Sequence, residues 1–290
     1  MHRVIHWQTS RVSLMHTACA AGALIIGTVL IAFALLAHGP TTLINAVSDL
    51  DVGVVLSLNA LARRARWLDV LAGEIAHSIV LQGVMVALFW GAWFAPGDLS
   101  AERRKREILL SSLIGVYATA VLAIALRATL PFRARPADDP TIALQAPFTA
   151  LHSHSTSLPA GHAAVFFALA VGLWSISVKL GLVNTLVAFF CISLPRIYLG
   201  LHYPSDILAG AVLGLTTVVL VNEMLRGRSL VPRLLAWSEG RPAAFYGLLF
   251  LASLDVATEF SSVRVFLRLL QSQSPNLNKL VMLAIGVVTS

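Results

Sequence analysis

Charge is scarce in this chain. Of its 290 residues only 12% are Asp, Glu, Lys or Arg while 57% are hydrophobic, and the mean hydropathy is +0.80. An ordinary water-soluble domain is about 25% charged, so the composition excludes that class and points to an integral membrane protein. Cysteine is almost absent as well. Cys19 and Cys191 lie far apart inside apolar segments, which excludes a disulfide framework and a cysteine-based metal site. There is no internal repeat and no low-complexity tract. The formal net charge of +7 comes from basic residues scattered among the polar connections without interleaved aromatics, so nucleic acid is excluded as a partner and membrane topology accounts for them instead.

What the chain does have is long apolar runs. Windows at roughly 14–37, 76–95, 107–129, 163–182, 183–201 and 205–224 approach the length of about 20 residues that a helix needs to cross a bilayer. The runs are uninterrupted rather than alternating, so they predict helices. The expected fold is an all-α polytopic bundle with a six-helix core embedded in the bilayer. Residues 1–40 hold the first span, whose apolar run is longer than that of a cleaved signal peptide. The core covers 41–225, and 226–290 form an extension with one more span or interfacial helices. Within the core, 41–66 place Leu43, Ile44, Val47, Leu50, Val54, Leu58 and Leu61 at three- and four-residue spacing with Asp49, Asp51, Asn45 and Asn59 between them. That pattern predicts an amphipathic interfacial helix, ending in the headgroup-level cluster Arg63-Arg64-Ala65-Arg66-Trp67.

The connection Ala101-Glu102-Arg103-Arg104-Lys105-Arg106 is the most basic segment, and the positive-inside rule assigns it to the cytoplasm. Counting spans from there puts the N-terminus, Lys179, Arg226 and Arg228 inside and residues 130–162 and 198–206 outside. Arg63, Arg64 and Arg66 then lie outside, against the rule.

The chemistry-bearing residues gather in those two outer segments. In the stretch Arg196 to Asp206, His202 precedes Asp206 by four residues and follows Arg196 by six. Such a set supplies a nucleophile or base, a carboxylate that fixes its tautomer, and a cation for an anionic substrate. Pro204 suits the first position of a helix, with Asp206 in its first turn. The long loop 130–162 ends in Leu158-Pro159-Ala160-Gly161-His162, which sets Gly161 and His162 at a helix start, where free N–H groups favour an anion. At the other end of the loop stand Arg127, Arg133 and Arg135-Pro136, whose guanidinium groups suit a phosphate clamp. His152 and His154 lie in the same loop and are expected to be solvated.

Together these segments resemble the type 2 phosphatidic acid phosphatase superfamily. Its motifs are Lys, six residues, Arg-Pro; then Pro-Ser-Gly-His; then Ser-Arg, five residues, His, three residues, Asp. The resemblance covers about residues 40–225. Arg196, His202 and Asp206 match the third motif in identity and spacing, Gly161 and His162 the second, and Arg135-Pro136 the end of the first. It implies that His202 is the nucleophile of a phosphohistidine, Asp206 its orienting partner and His162 the acid for the leaving oxygen. Arg135 and Arg196 would hold phosphate oxygens, and no metal or other cofactor would be needed. The chain departs from the pattern at three places. Ala128 stands at the lysine position, with Arg127 one place early; Ala160 replaces the serine of the second motif and Pro195 that of the third. A lost hydrogen bond to a charged group is worth about 1.5–3 kcal/mol, enough to slow catalysis or narrow substrate choice.

The expected activity is removal of a terminal phosphate from a lipid phosphate or diphosphate, of the phosphatidate, phosphatidylglycerophosphate or undecaprenyl diphosphate type, at the outer face of a cytoplasmic membrane. A lipid or sugar hydroxyl in place of water would make the same site a phosphotransferase. A non-catalytic lipid-binding protein of the same fold is the rival from another class.

Overall fold

The computed structural model describes residues 41–145, 156–258 and 260. The first apolar run, Cys19, His152, His154 and the tail beyond 260 lie outside the described residues. Among the described residues nine helices follow one another: α1 Thr41–Asn59, α2 Arg66–His77, α3 Ile79–Phe94, α4 Leu99–Thr129, α5 Gly161–Trp174, α6 Val178–Tyr198, α7 Pro204–Leu225, α8 Leu230–Gly240 and α9 Pro242–Ala257. No strand occurs among the described residues. The predicted all-α class is therefore the observed one.

Local chemistry sets the helix ends. The Asp98 carboxylate accepts the Ala101 N–H at 2.8 Å and starts α4, with Glu102 in its first turn and Arg127 in its last, the arrangement the helix dipole favours. Leu130-Pro131 then stops it. The basic run 101–106 forms the first turns of this helix, where a connection was expected, because a capped, leucine-rich stretch of good helix formers continues into it. The two apolar runs expected at 163–182 and 183–201 divide earlier than predicted. Ser177 accepts the Leu180 N–H at 3.4 Å and caps α6, so residues 178–182 belong to the later helix. The run at 76–95 breaks at Ser78, where α2 and α3 meet at 50° and the Ser78 hydroxyl caps α3 through Leu81 N–H.

Among the described residues α4, α6 and α7, at 31, 21 and 22 residues, are long and apolar enough to cross a membrane, and α2 with α3 would make a fourth, bent span. α5 and α9 are apolar but shorter. The core is α4, α5 and α7 packed together, with α6 against α5. Phe166, Leu169, Val116 and Val218 are at most 2% exposed there. Gly210 and Gly214 bring α7 onto α5: a Cβ at either would collide with the carbonyl of Ala160 or of Ala164. Only glycine permits that approach, and it brings the starts of α5 and α7 side by side.

α1 turns two of its polar residues, Asp51 and Asn59, toward the protein, while Asn45 and Asp49 are exposed. Asp51 and Asn59 are 3% exposed, whereas Leu50 is 70% and Val54 42% exposed. An outward Leu50 and Val54 beside an inward Asp51 is an arrangement suited to a helix that meets lipid on one side. The C-terminal extension contributes α8, packed on α4, and α9, packed on α3.

Candidate active site

The segments singled out in the sequence meet at one end of the α4–α5–α7 core. Backbone hydrogen bonds tie them together. Ser157 N–H donates to the Arg133 carbonyl at 3.0 Å, Ala160 N–H to the Asp206 carbonyl at 3.0 Å and Ala137 N–H to the Gly200 carbonyl at 2.9 Å. Gly200 has φ +70°, a left-handed turn suited to glycine. The end of α4, the entry to α5 and the α6–α7 turn thus form one hydrogen-bonded layer.

His202 is 3% exposed within it. Its Nδ1 lies 3.0 Å from the Ser157 carbonyl oxygen and 3.7 Å from Asp206 Oδ2. A carbonyl can only accept, so Nδ1 carries the proton and Nε2 keeps its lone pair. At 3.7 Å the Asp206 carboxylate acts on the ring through its charge rather than through a hydrogen bond. Burial pushes the His202 pKa down from 6.5 to about 4; Asp206 opposes the shift and the cations Arg135 and Arg127 reinforce it. The imidazole is therefore neutral at physiological pH, with an unprotonated nitrogen available.

Asp206 is fully buried and held from two sides. Its Oδ2 accepts the Tyr203 N–H at 2.9 Å, capping α7, and its Oδ1 accepts from Arg133 Nη1 at 2.7 Å. Arg133 in turn donates through Nη2 to Asp51 Oδ2 at 2.6 Å and through Nη1 to Ser205 Oγ at 2.8 Å, with its guanidinium 4.1 Å from the centre of the Tyr203 ring. Ser205 closes the loop, donating its N–H to Asp51 Oδ1 at 2.9 Å and its hydroxyl to Asp51 Oδ2. Burial acts to lower the Arg133 pKa, but Asp206 and Asp51 outweigh it and hold it above the ordinary arginine value.

The other candidates surround this network. Arg127 Nε donates to the Pro159 carbonyl at 3.0 Å, and its guanidinium lies so close over Gly161 that a Cβ there would collide with it. Arg135, just before the short 3₁₀ turn Pro136–Asp138, has its pKa lowered by burial, with Asp138 and Asp206 opposing. Arg196 is 3% exposed and donates to the Ile192 carbonyl at 2.6 Å. His162 occupies the first turn of α5 and is partly exposed. The structure brings His202, Asp206, Arg133, Arg135, Arg127, Gly161 and His162 to one end of the core. Arg133 faces carboxylates on two sides, a role different from the phosphate contact expected of it.

Three participants escaped the sequence reading. Asp51 was read only as one of the polar residues between the apolar positions of α1, although a buried acid on such a helix needs a cation partner. Ser205 and Ser157 had no signal beyond their place beside His202 and Pro159. No group of three or more His, Cys, Asp or Glu side chains among the described residues is arranged to hold a metal ion.

Fold and site together define a helical membrane protein with a neutral, buried histidine set among a carboxylate and arginines, a layout suited to an anionic phosphoryl group. Residues 106–229 match the PAP2 superfamily model. The decaprenylphosphoryl-5-phosphoribose phosphatase of Mycobacterium tuberculosis is 32% identical over 132 residues, 46% of this chain and 69% of that one. The bacitracin transport permease protein BcrC of Bacillus licheniformis is 34% identical over 70 residues, 24% of this chain and 34% of that one. This chain belongs to the PAP2 superfamily. No solved structure matches it.

Proposed function

We propose that the protein is a metal-independent lipid phosphate phosphatase that works through a phosphohistidine on His202, with its site at the outer face of the cytoplasmic membrane. The observation that carries this reading is the neutral, buried imidazole whose Nδ1–H is held by the Ser157 carbonyl. In the first displacement, Nε2 attacks phosphorus as the bond to the leaving oxygen breaks, and His162 gives that oxygen its proton. In the second, water attacks phosphorus, the P–N bond breaks, His162 takes the water's proton, and inorganic phosphate leaves. Arg135, Arg127 and Arg196, with the N–H groups at the start of α5, stabilise the charge that develops on the phosphoryl oxygens. Asp206 balances the positive charge on the imidazole once it is phosphorylated.

The substrate class is a lipid-linked phosphate or diphosphate. A relative that acts on a decaprenylphosphoryl-5-phosphoribose supports this class, as does a site at the end of helices apolar enough to lie in lipid. The test is phosphate release by the purified full-length protein from phosphatidate, phosphatidylglycerophosphate, undecaprenyl diphosphate and a polyprenyl-phosphate sugar phosphate, with a chelator present. Release from at least one substrate is expected, and its loss in His202→Ala. Equal release by the two proteins would sink the proposed nucleophile.

A further inference from the structure

The second motif of the family carries a serine that this chain lacks. At that position Ala160 is fully buried in an apolar cluster with Val55, Ile197 and Ile207. Three residues upstream lies a serine that the sequence reading passed over. Ser157 is 0% exposed. Its carbonyl oxygen sits 3.0 Å from His202 Nδ1, and its N–H donates to the Arg133 carbonyl at 3.0 Å. The preceding residue is fixed as well, since the Thr156 hydroxyl accepts the Arg133 N–H at 3.1 Å. Both backbone groups of Ser157 are thus bound, one to the nucleophile and one to the segment that carries Arg133 and Arg135.

The side-chain hydroxyl is the exception. Ser157 Oγ is buried and has no hydrogen-bond partner among the described residues. A buried hydroxyl left unpaired is costly and calls for a ligand or an ordered water. Its position is restricted to the immediate surroundings of the His202 ring, where Arg135 and Arg127 supply positive charge. An anion drawn there by the arginines would meet an O–H donor that has no acceptor among the described residues.

We infer that Ser157 is a substrate-binding residue whose hydroxyl donates to a phosphoryl oxygen, replacing the hydroxyl absent at Ala160. The inference deepens the phosphatase reading above and rests on it for the identity of the anion. Ser157 belongs to the segment that also fixes the tautomer of His202. One residue then couples two tasks: its carbonyl holds the nucleophile's proton and its hydroxyl holds the electrophile.

The test compares wild type with Ser157→Ala and Ser157→Thr as purified full-length proteins in detergent. Three quantities are measured: binding of inorganic phosphate by titration calorimetry, kcat/KM on a lipid phosphate, and the thermal midpoint. Ser157→Ala is expected to weaken phosphate binding and lower kcat/KM by roughly tenfold or more. Its midpoint should be unchanged or higher, because the hydroxyl it removes has no hydrogen-bond partner among the described residues. Ser157→Thr, which keeps the hydroxyl, is expected to recover phosphate binding. If Ser157→Ala binds phosphate as wild type does, the hydroxyl faces only a resident water and the inference is overturned. An alanine variant that melts earlier with phosphate affinity intact marks a structural serine and overturns it too. Wild type that binds phosphate but releases none from any lipid phosphate would refute the phosphatase reading alone, leaving the phosphate titration to judge Ser157. Wild type that neither binds nor releases phosphate overturns both.

Discussion

Asp206 lies beside His202 at a distance where its charge acts but no hydrogen bond forms, so what fixes that carboxylate decides how well the imidazole is served. Arg133 and the Tyr203 N–H hold it, and Arg133 is itself held by Asp51 and Ser205. Asp51 therefore acts at a distance, by keeping Arg133 in one place. Asp51→Asn removes a charge and leaves a near-isosteric side chain. It is expected to lower kcat on the order of 10- to 100-fold, as loss of a group that orients another commonly does, with KM little changed. Steady-state kinetics on a lipid phosphate checks this, and an unchanged kcat would relegate Asp51 to folding. At this scale the sequence was legible wherever a residue type has one dominant use. His202, Asp206 and Arg196 announced themselves by spacing. Arg133 was recognised as a site residue, but its partners were not, since which of several arginines meets a carboxylate depends on packing that no local pattern records. Asp51 was invisible for a different reason: its helix reads the same whether the polar stripe faces water or protein.

At the scale of the elements, the site exists because α5 and α7 begin side by side. The contact depends on Gly210 and Gly214, which let α7 lie against the Ala160 and Ala164 carbonyls. Gly210→Val is expected to force the pair apart. Overpacking of this kind commonly costs about 1–3 kcal/mol, and here it would also separate Asp206 from the Ala160 N–H it accepts through its carbonyl. A lower thermal midpoint together with lost activity is the expected result; normal melting and activity would mean the glycines are incidental. Helix existence was readable from the apolar runs, but helix boundaries were not. Ser78 and Ser177 act as caps inside stretches whose average hydropathy barely changes, so a window long enough to detect a span is too long to detect them. The basic run 101–106 misled in the opposite sense: it carries a strong topological signal, which made it look like a connection, yet its residues are good helix formers behind a well-placed Asp98.

At the scale of the whole molecule, the described residues present many large apolar side chains outward and gather the His202, Asp206, Arg133 and Asp51 network at one end of the bundle. That distribution, with membership of the PAP2 superfamily, makes it a membrane protein, and the proposed site lies at the ends of its helices. For the proposed chemistry the bundle supplies burial that keeps His202 neutral and arginines that would draw in an anion. The central claim is that His202 takes the phosphoryl group itself. It is tested most directly by quenching the purified protein during turnover of a ³²P-labelled lipid phosphate and locating the label by peptide mass spectrometry. The account predicts an acid-labile, base-stable phosphoimidazole on the peptide containing His202, accumulating further when His162 is replaced by Ala and a good leaving group is used. Turnover with no covalent label at His202, or with the label on another residue, would contradict it.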